Sequence, residues 1–474
     1  MIFKMTEGSA TNSFRPLETR APLNLAQVSK LWREITLNTP SLWVAIDVMN
    51  IGLAPIFLER SQSAALEITV ASGGMYDEEE DGSDSGEEPM RLASELEGAR
   101  KAYDLRGRNP HDFLAPLLPH IARWRSLILE VPSTNKQLEG FLLPSAAPAL
   151  TTFCALELGH SPVLPTLHPD LFNKQLPNLN RLSLGGVALP LQLAPTALKC
   201  LRYLTLEGFD YEPEETAHFL RLLQGCPLLE SLTLQTMDAP CADEMPIVSL
   251  QHLRTLDLDS VKPDFVRDLL SHIVAPSSLR VGITIHHRHL PTIAPSLNVP
   301  LSHVGSHPIH NWSFKQSTYW LTISGTTAQG TELMQLGLYS PQPTADMSVC
   351  FNHILPGFTS ESLSFNSITT GYYGLSLAQP STLFMVTSLS FVDCARGFLD
   401  VLFTCSSFPR LKNLKVENCN IDSDDLTILA CPRDGQLDPG PDGHAQVVDT
   451  CRVDYFDGAV GVPEVLMVRR FNLG

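Results

Sequence analysis

Six of the fifteen histidines fall within 25 residues: His286, His287 and His289, then His303, His307 and His310. Imidazole is the commonest side-chain metal ligand, and His303 with His307 would share a helix face if that segment were helical. The surroundings do not complete a site. Pro300 and Pro308 flank the pair, and no cysteine or carboxylate is interleaved among the six. The segment reads as a histidine-rich loop with at most weak surface metal affinity, and no metal ligands are assigned. Ten cysteines, at 154, 200, 226, 241, 350, 394, 405, 419, 431 and 451, include no C-x-x-C pair, so they read as reduced and mostly buried thiols. Gly159-His160-Ser161-Pro162-Val163 lacks the second glycine of a nucleophile elbow. Zinc-protease, phosphate-loop and dinucleotide motifs are absent as well. The chain is expected to have no catalytic residues and no cofactor.

The bulk composition narrows the partners. A formal net charge of −18 gives no electrostatic footprint for a phosphate backbone, so nucleic acid is not expected. Apolar residues make up 43% and charged residues 18%, enough for a sizeable core. The first twenty residues lack the apolar run of a signal peptide, and no stretch approaches the roughly 18 apolar residues of a membrane span. With reduced cysteines, these features predict a cytoplasmic or nuclear protein that does not engage a membrane. Residues 72–90 carry eight acids between Asp77 and Glu88 and no base, a composition that predicts a disordered insert.

The elements that would position a binding surface begin near Asn24. Asn24 is suited to cap a helix, with Gln27 reaching back. Leu25, Val28, Leu31, Trp32 and Ile35 follow at spacings of three and four, which predicts one apolar stripe used for docking. Pro40 stops the helix at Thr39, and Trp32 and Trp43 are expected to pack across the resulting corner before a strand from Val44 to Val48.

From Trp124 an L-x-x-L-x-L rhythm recurs: Trp124-Leu127-Leu129, Phe153-Leu156-Leu158, Leu179-Leu182-Leu184, Leu201-Leu204-Leu206, Leu229-Leu232-Leu234 and Leu253-Leu256-Leu258, then Val386-Leu389-Phe391 and Leu411-Leu414-Val416. Thr318-Leu321-Ile323 and Ser360-Leu363-Phe365 are weaker copies within 283–360, where the rhythm loosens. Intervals of 22 to 29 residues between clear neighbours match leucine-rich repeats. A single strand cannot bury such a leucine face until neighbours stack on it. Short amphipathic helices are predicted between strands, ending near Gly225 and Pro276. The fold class expected is therefore α/β, an irregular leucine-rich-repeat solenoid with a parallel sheet on its concave face and helices and loops on its convex face. Side chains between the core leucines should face the concave surface and bind a protein target: Glu130, Glu157, Arg181, Tyr203, Glu207, Gln235, Asp257, Asp259 and Lys415. Their carboxylates and the intervening hydroxyls suit a partner that presents Lys or Arg.

The stretch APLNLAQVSKLWREITLNTPSLWVAIDV, residues 21–48, resembles the F-box-like segment of fungal, basidiomycete-type F-box proteins. Val28, Trp32, Arg33, Ile35, Leu37, Thr39, Pro40, Leu42 and Trp43 match its pattern, and Ser29 stands where cysteine is usual. FLERSQSAALEITV at 57–70 and LAPLLPHIARWRSLILEVP at 114–132 fit the same layout. The Leu-Pro-x-Glu opening of an F-box is not in this sequence, with Ile2-Phe3 in its place, so the segment is read as truncated. The resemblance implies a substrate-recognition subunit of a cullin-RING (SCF) ubiquitin ligase. Adaptor contact would fall to Val28, Leu31, Trp32, Ile35, Pro40, Leu42 and Trp43, docking a Skp-type adaptor. The alternative is a repeat scaffold that recruits no ligase. The expected organisation is an F-box-like segment at 1–48, a connecting region at 49–120, repeats at 121–430, and a tail or cap at 431–474.

Overall fold

A computed structural model describes residues 22–47, 51–71, 110–132, 138–158, 164–194, 196–238, 245–286, 289, 309–317, 320–339, 361–368, 386–395 and 413–419, with two further strands at 451–456 and 464–468. The acidic run at 72–90 and His287, His303 and His307 lie outside these residues. The chain is mixed α/β, with a mostly parallel sheet and helices, and divides into two units, Met1–His252 and Leu253–Gly474. Among the described residues no helix is long and apolar enough to cross a membrane.

The first unit opens with helices α1 (Leu23–Val28) and α2 (Lys30–Leu37), a 3-10 turn at Pro40–Leu42, strand β1 (Ala45–Asp47) and helix α3 (Ala54–Arg60). The sheet continues through β2 (Leu66–Ala71), β3 (Trp124–Pro132), β4 (Thr152–Leu158), β5 (Arg181–Gly185), β6 (Tyr203–Glu207) and β7 (Ser231–Gln235). Each strand pairs in parallel with the next in chain order. Parallel neighbours need a crossover, and among the described residues these include helix α4 (Pro110–Leu114) before β3 and helix α5 (Pro213–Gln224) between β6 and β7. Glu212 and Glu215 form a reciprocal capping box at the start of α5, which buries Phe219, Leu220 and Leu223. Arg123, at the start of β3, donates to Ser61 Oγ at 2.6 Å and Ala64 O at 2.9 Å, tying the end of α3 to the sheet.

In the second unit the chain order of strands is broken. Strands β8 (Thr255–Asp259) and β9 (Arg280–His286) pair in parallel, with α6 (Pro263–His272) between them in sequence. Helix α6 stops at His272 because Ile273 is already extended, so it ends before the expected Pro276. Strands β10 (Asn311–Gln316), β11 (Trp320–Thr326) and β12 (Glu332–Tyr339) form an antiparallel meander. It inserts backwards, with β12 lying beside β9 and β10 beside β13 (Ser362–Asn366), both in parallel. Parallel pairing then runs through β14 (Ser388–Val392), β15 (Asn413–Glu417) and β16 (Cys451–Phe456), and β17 (Glu464–Val468) closes antiparallel on β16. The weak copy at Thr318-Leu321-Ile323 therefore corresponds to an antiparallel strand, β11. Two-residue alternation of apolar side chains marks a strand without fixing its direction.

A backbone signature recurs where strands end. The second residue after the last core position has positive φ at Gly186, Gly208 and Thr236 in the first unit and at Ser260, Ser367, Asp393 and Asn418 in the second. The next residue is buried in every case: Val187, Phe209 and Met237, then Val261, Ile368, Cys394 and Cys419. The left-handed step turns each chain off its strand and returns a side chain to the interior. Inside the second unit Phe314, Phe365 and Phe391 stack across β10, β13 and β14, with ring centroids 5.1 and 5.3 Å apart.

Candidate functional site

The N-terminal helices present an apolar ridge. The structure divides the expected single helix at Ser29, whose backbone is extended and whose side chain accepts from Trp32 N at 3.2 Å. Ser29 therefore caps α2. Asn24 does not cap α1, which starts at Leu23 behind Pro22 with no side-chain cap. The break removes the continuous stripe, but the apolar residues remain outside: Val28 is 60% exposed, Leu31 63% and Ile35 38%. Trp32 and Pro40 are half-buried.

Leu42 and Trp43 do the opposite. Both are buried. Trp43 Nε1 donates to Thr36 O at 2.9 Å, its ring meets Phe57 edge-on at 5.2 Å, and the Arg60 guanidinium lies 4.4 Å above it. These two expected contact residues are corrected to internal ones: they hold the corner from within and leave the ridge to do any docking.

Along the sheet of the first unit, register lines up three solvent-side rows. One runs Glu67, Ser126, Thr152, Arg181, Tyr203 and Ser231. The next runs Thr69, Ile128, Cys154, Ser183, Thr205 and Thr233, and the third Glu130, Leu156, Gly185, Glu207 and Gln235. Glu130, Arg181, Tyr203, Glu207 and Gln235 thus share one face as expected, with the Arg181 guanidinium 4.5 Å above the Tyr203 ring. Burial raises the Glu130 carboxyl above its usual range. Cys154 is pushed up to about 11, mainly by burial with Ser183 hydrogen bonding against it, which makes it a poor nucleophile.

Glu157 belongs elsewhere. Phe153 pairs with Leu127 and Leu182, and Ala155 with Leu129 and Leu184, so the core frame of β4 is Leu150-Phe153-Ala155. The frame Phe153-Leu156-Leu158 is displaced by three residues, and an odd slip exchanges the two faces of a strand. Glu157 is buried on the core side and Leu156 takes the solvent side. Ala155 as a core residue hid the frame, because a small side chain does not register as a leucine.

In the second unit Asp257 and Asp259 stand on the solvent side of β8. A Cβ at Gly282 would sit 2.5 Å from Asp257 Oδ1, so the carboxylate occupies space that glycine leaves open. Burial raises the Asp257 carboxyl, with Arg280 acting against it. Lys415 is on the same face but seven strand spacings away by register, roughly 34 Å at about 4.8 Å each, and it bonds Glu417 at 2.6 Å. It belongs to a separate patch. Two residues without a sequence signal of their own, Tyr339 and Trp320, lie in one row with His286 of the histidine-rich segment, next to the aspartates. Tyr339 is 5.9 Å from His286 and 5.2 Å from Trp320 between ring centroids. Trp320 and Tyr339 are 40% and 39% exposed. The trace in sequence was a single aromatic at one end of each strand, Trp320 opening β11 and Tyr339 closing β12, which β-propensity alone explains equally well.

His286 and His289 have ring centroids 6.2 Å apart, whereas His310 pairs with Glu361 at 3.4 Å. Among the described residues no group of three or more His, Cys, Asp or Glu side chains is placed to hold a metal. No protein-family model matches the chain, and no curated protein matches it.

Proposed function

We propose that this chain is a non-catalytic recognition subunit, in which an F-box-like N-terminal segment docks a Skp-type adaptor and a leucine-rich-repeat solenoid holds a protein target for ubiquitin transfer. The observation that carries this reading is the exposed ridge of Val28, Leu31 and Ile35, set against a corner whose Leu42 and Trp43 are wholly internal. Leu31 and Ile35, four residues apart on α2, share one helix face, and apolar side chains left in water together suit a protein contact. The solenoid part is supported by parallel strands stacked in chain order and by the positive-φ residue followed by a buried one, repeated in both units. A receptor of this kind does no chemistry: it raises the local concentration of the target beside a charged conjugating enzyme.

One observation favours a second reading, a scaffold that recruits no ligase. Two of the seven residues given to the adaptor are consumed by the chain's own core. Co-purification with the host's Skp-type adaptor separates the readings. Wild type should capture the adaptor, and Leu31→Glu with Ile35→Glu should abolish capture while leaving the thermal midpoint within about 2 °C, since exposed substitutions cost little. A folded wild type that captures no adaptor would leave the scaffold reading standing.

A further inference from the structure

The solvent face of the second unit carries an exposed aromatic ledge. His286, Tyr339 and Trp320 share one row across β9, β12 and β11. The adjoining row is low: Thr284, Gly337 and Thr322 sit opposite one another, with Asp259 at its β8 end. Asp257 stands one step further along β8. The result is a shelf walled by aromatic rings on one side and ending at two carboxylates. Arg280, the nearest base, is engaged by Gln335 at 2.9 Å and Glu332 at 3.4 Å. Lys315, opposite Thr322, bounds the shelf on the Trp320 side. A cation is thereby directed toward Tyr339 and away from Lys315.

We infer that this shelf binds an extended basic peptide, with one guanidinium stacked on the Tyr339 ring and a second facing Asp259 and Asp257. Aromatic faces attract cations through their quadrupole, and arginine adds planar stacking and a fork matched to carboxylates. The spacing follows from the sheet. Tyr339 and Asp259 lie two strands and one row apart, roughly 12 Å, a span that about four residues of extended chain cover with both end side chains on one face. The inference deepens the target-binding half of the reading above and does not depend on adaptor docking. Failure of one test therefore leaves the other intact.

The test is fluorine NMR on the full chain labelled with 5-fluorotryptophan, whose five tryptophans give five signals. Trp320→Phe assigns the ledge signal. The probe is a capped peptide containing Arg-Ser-Ser-Ser-Arg, whose two arginines fall on one face of an extended chain, compared with the same peptide carrying neutral citrulline at both positions. The Trp320 signal should shift saturably with the arginine peptide and much less with citrulline. Tyr339→Leu and, separately, Asp259→Asn should each weaken binding about two- to fivefold, and Lys315→Gln should tighten it. A Trp320 signal unmoved by millimolar arginine peptide would overturn the inference. So would equal shifts with citrulline, which would mark a ledge that stacks on neutral groups, or unchanged affinity in folded Tyr339→Leu.

Discussion

Glu130 is a part-buried carboxylate on the solvent-side face of β3, and its charge comes at a cost to folding. Its carboxyl is raised because burial among neighbouring strands disfavours the charged form. A raised carboxyl binds its proton more tightly folded than unfolded, so its contribution is neutral at low pH and becomes destabilising as pH rises through and above the ordinary glutamate value of about 4.3. Glu130→Gln should therefore be more stable than wild type at pH 7, with the gain disappearing near pH 3. Urea unfolding at the two pH values reads this, and equal stability at pH 7 would show that water reaches the carboxylate freely. Cys394 and Cys419 show a different kind of coupling. Cys394 N donates to Cys419 Sγ at 3.3 Å, and hydrogen bonding between the two thiols pushes Cys419 down to about 7 and Cys394 up. Both are buried, which keeps them from solution reagents.

At the scale of elements the positive-φ step decides how strands are handed on. Glycine occupies it at Gly186 and Gly208, where it costs nothing sterically. Thr236 occupies it in the next turn with φ of 50°, a conformation that a β-branched residue adopts against its preference. Left-handed geometry costs an ordinary residue about 1–2 kcal/mol, from which glycine's own entropic penalty of about 0.5–1 kcal/mol is subtracted. Thr236→Gly should stabilise the chain by about 0.5–1 kcal/mol in chemical denaturation. A loss of stability would mean that the threonine side chain makes compensating contacts. Helix α2 obeys the same local logic. Ser29 starts it, and its end is fixed by Asn38 Nδ2 donating to Glu34 O at 2.8 Å and Thr39 Oγ1 donating to Ile35 O at 2.6 Å.

Over the whole molecule, charge and exposed apolar side chains fall on different elements. The chain carries a formal −18, and carboxylates recur on the sheet faces of both units, whereas the helix ridge is apolar. Attraction between exposed charges is screened beyond roughly 8 Å at physiological salt, while burial of apolar surface is not. Raising salt from 50 to 500 mM should weaken capture of a basic target or of the arginine peptide several-fold and leave adaptor capture by Leu31 and Ile35 nearly unchanged. Titrations of both partners across that range measure it, and parallel losses would place charge at the adaptor contact as well.

The alternation of apolar side chains along most strands, the helices at Pro213–Gln224 and Pro263–His272, and the corner at Pro40 were legible from the residues alone. Local signals suffice for these: a period of two or 3.6, a proline, a capping pair. Tertiary structure alone decided which face each side chain took where the pattern was ambiguous. It moved Glu157 inward, because Ala155 rather than Leu156 filled the core beside Leu129 and Leu184. It reversed β11 within a meander, because antiparallel and parallel strands show the same alternation. It also gathered His286, Trp320 and Tyr339 from three separate strands, since a row across a sheet is set by pairing between strands and by nothing within any one of them.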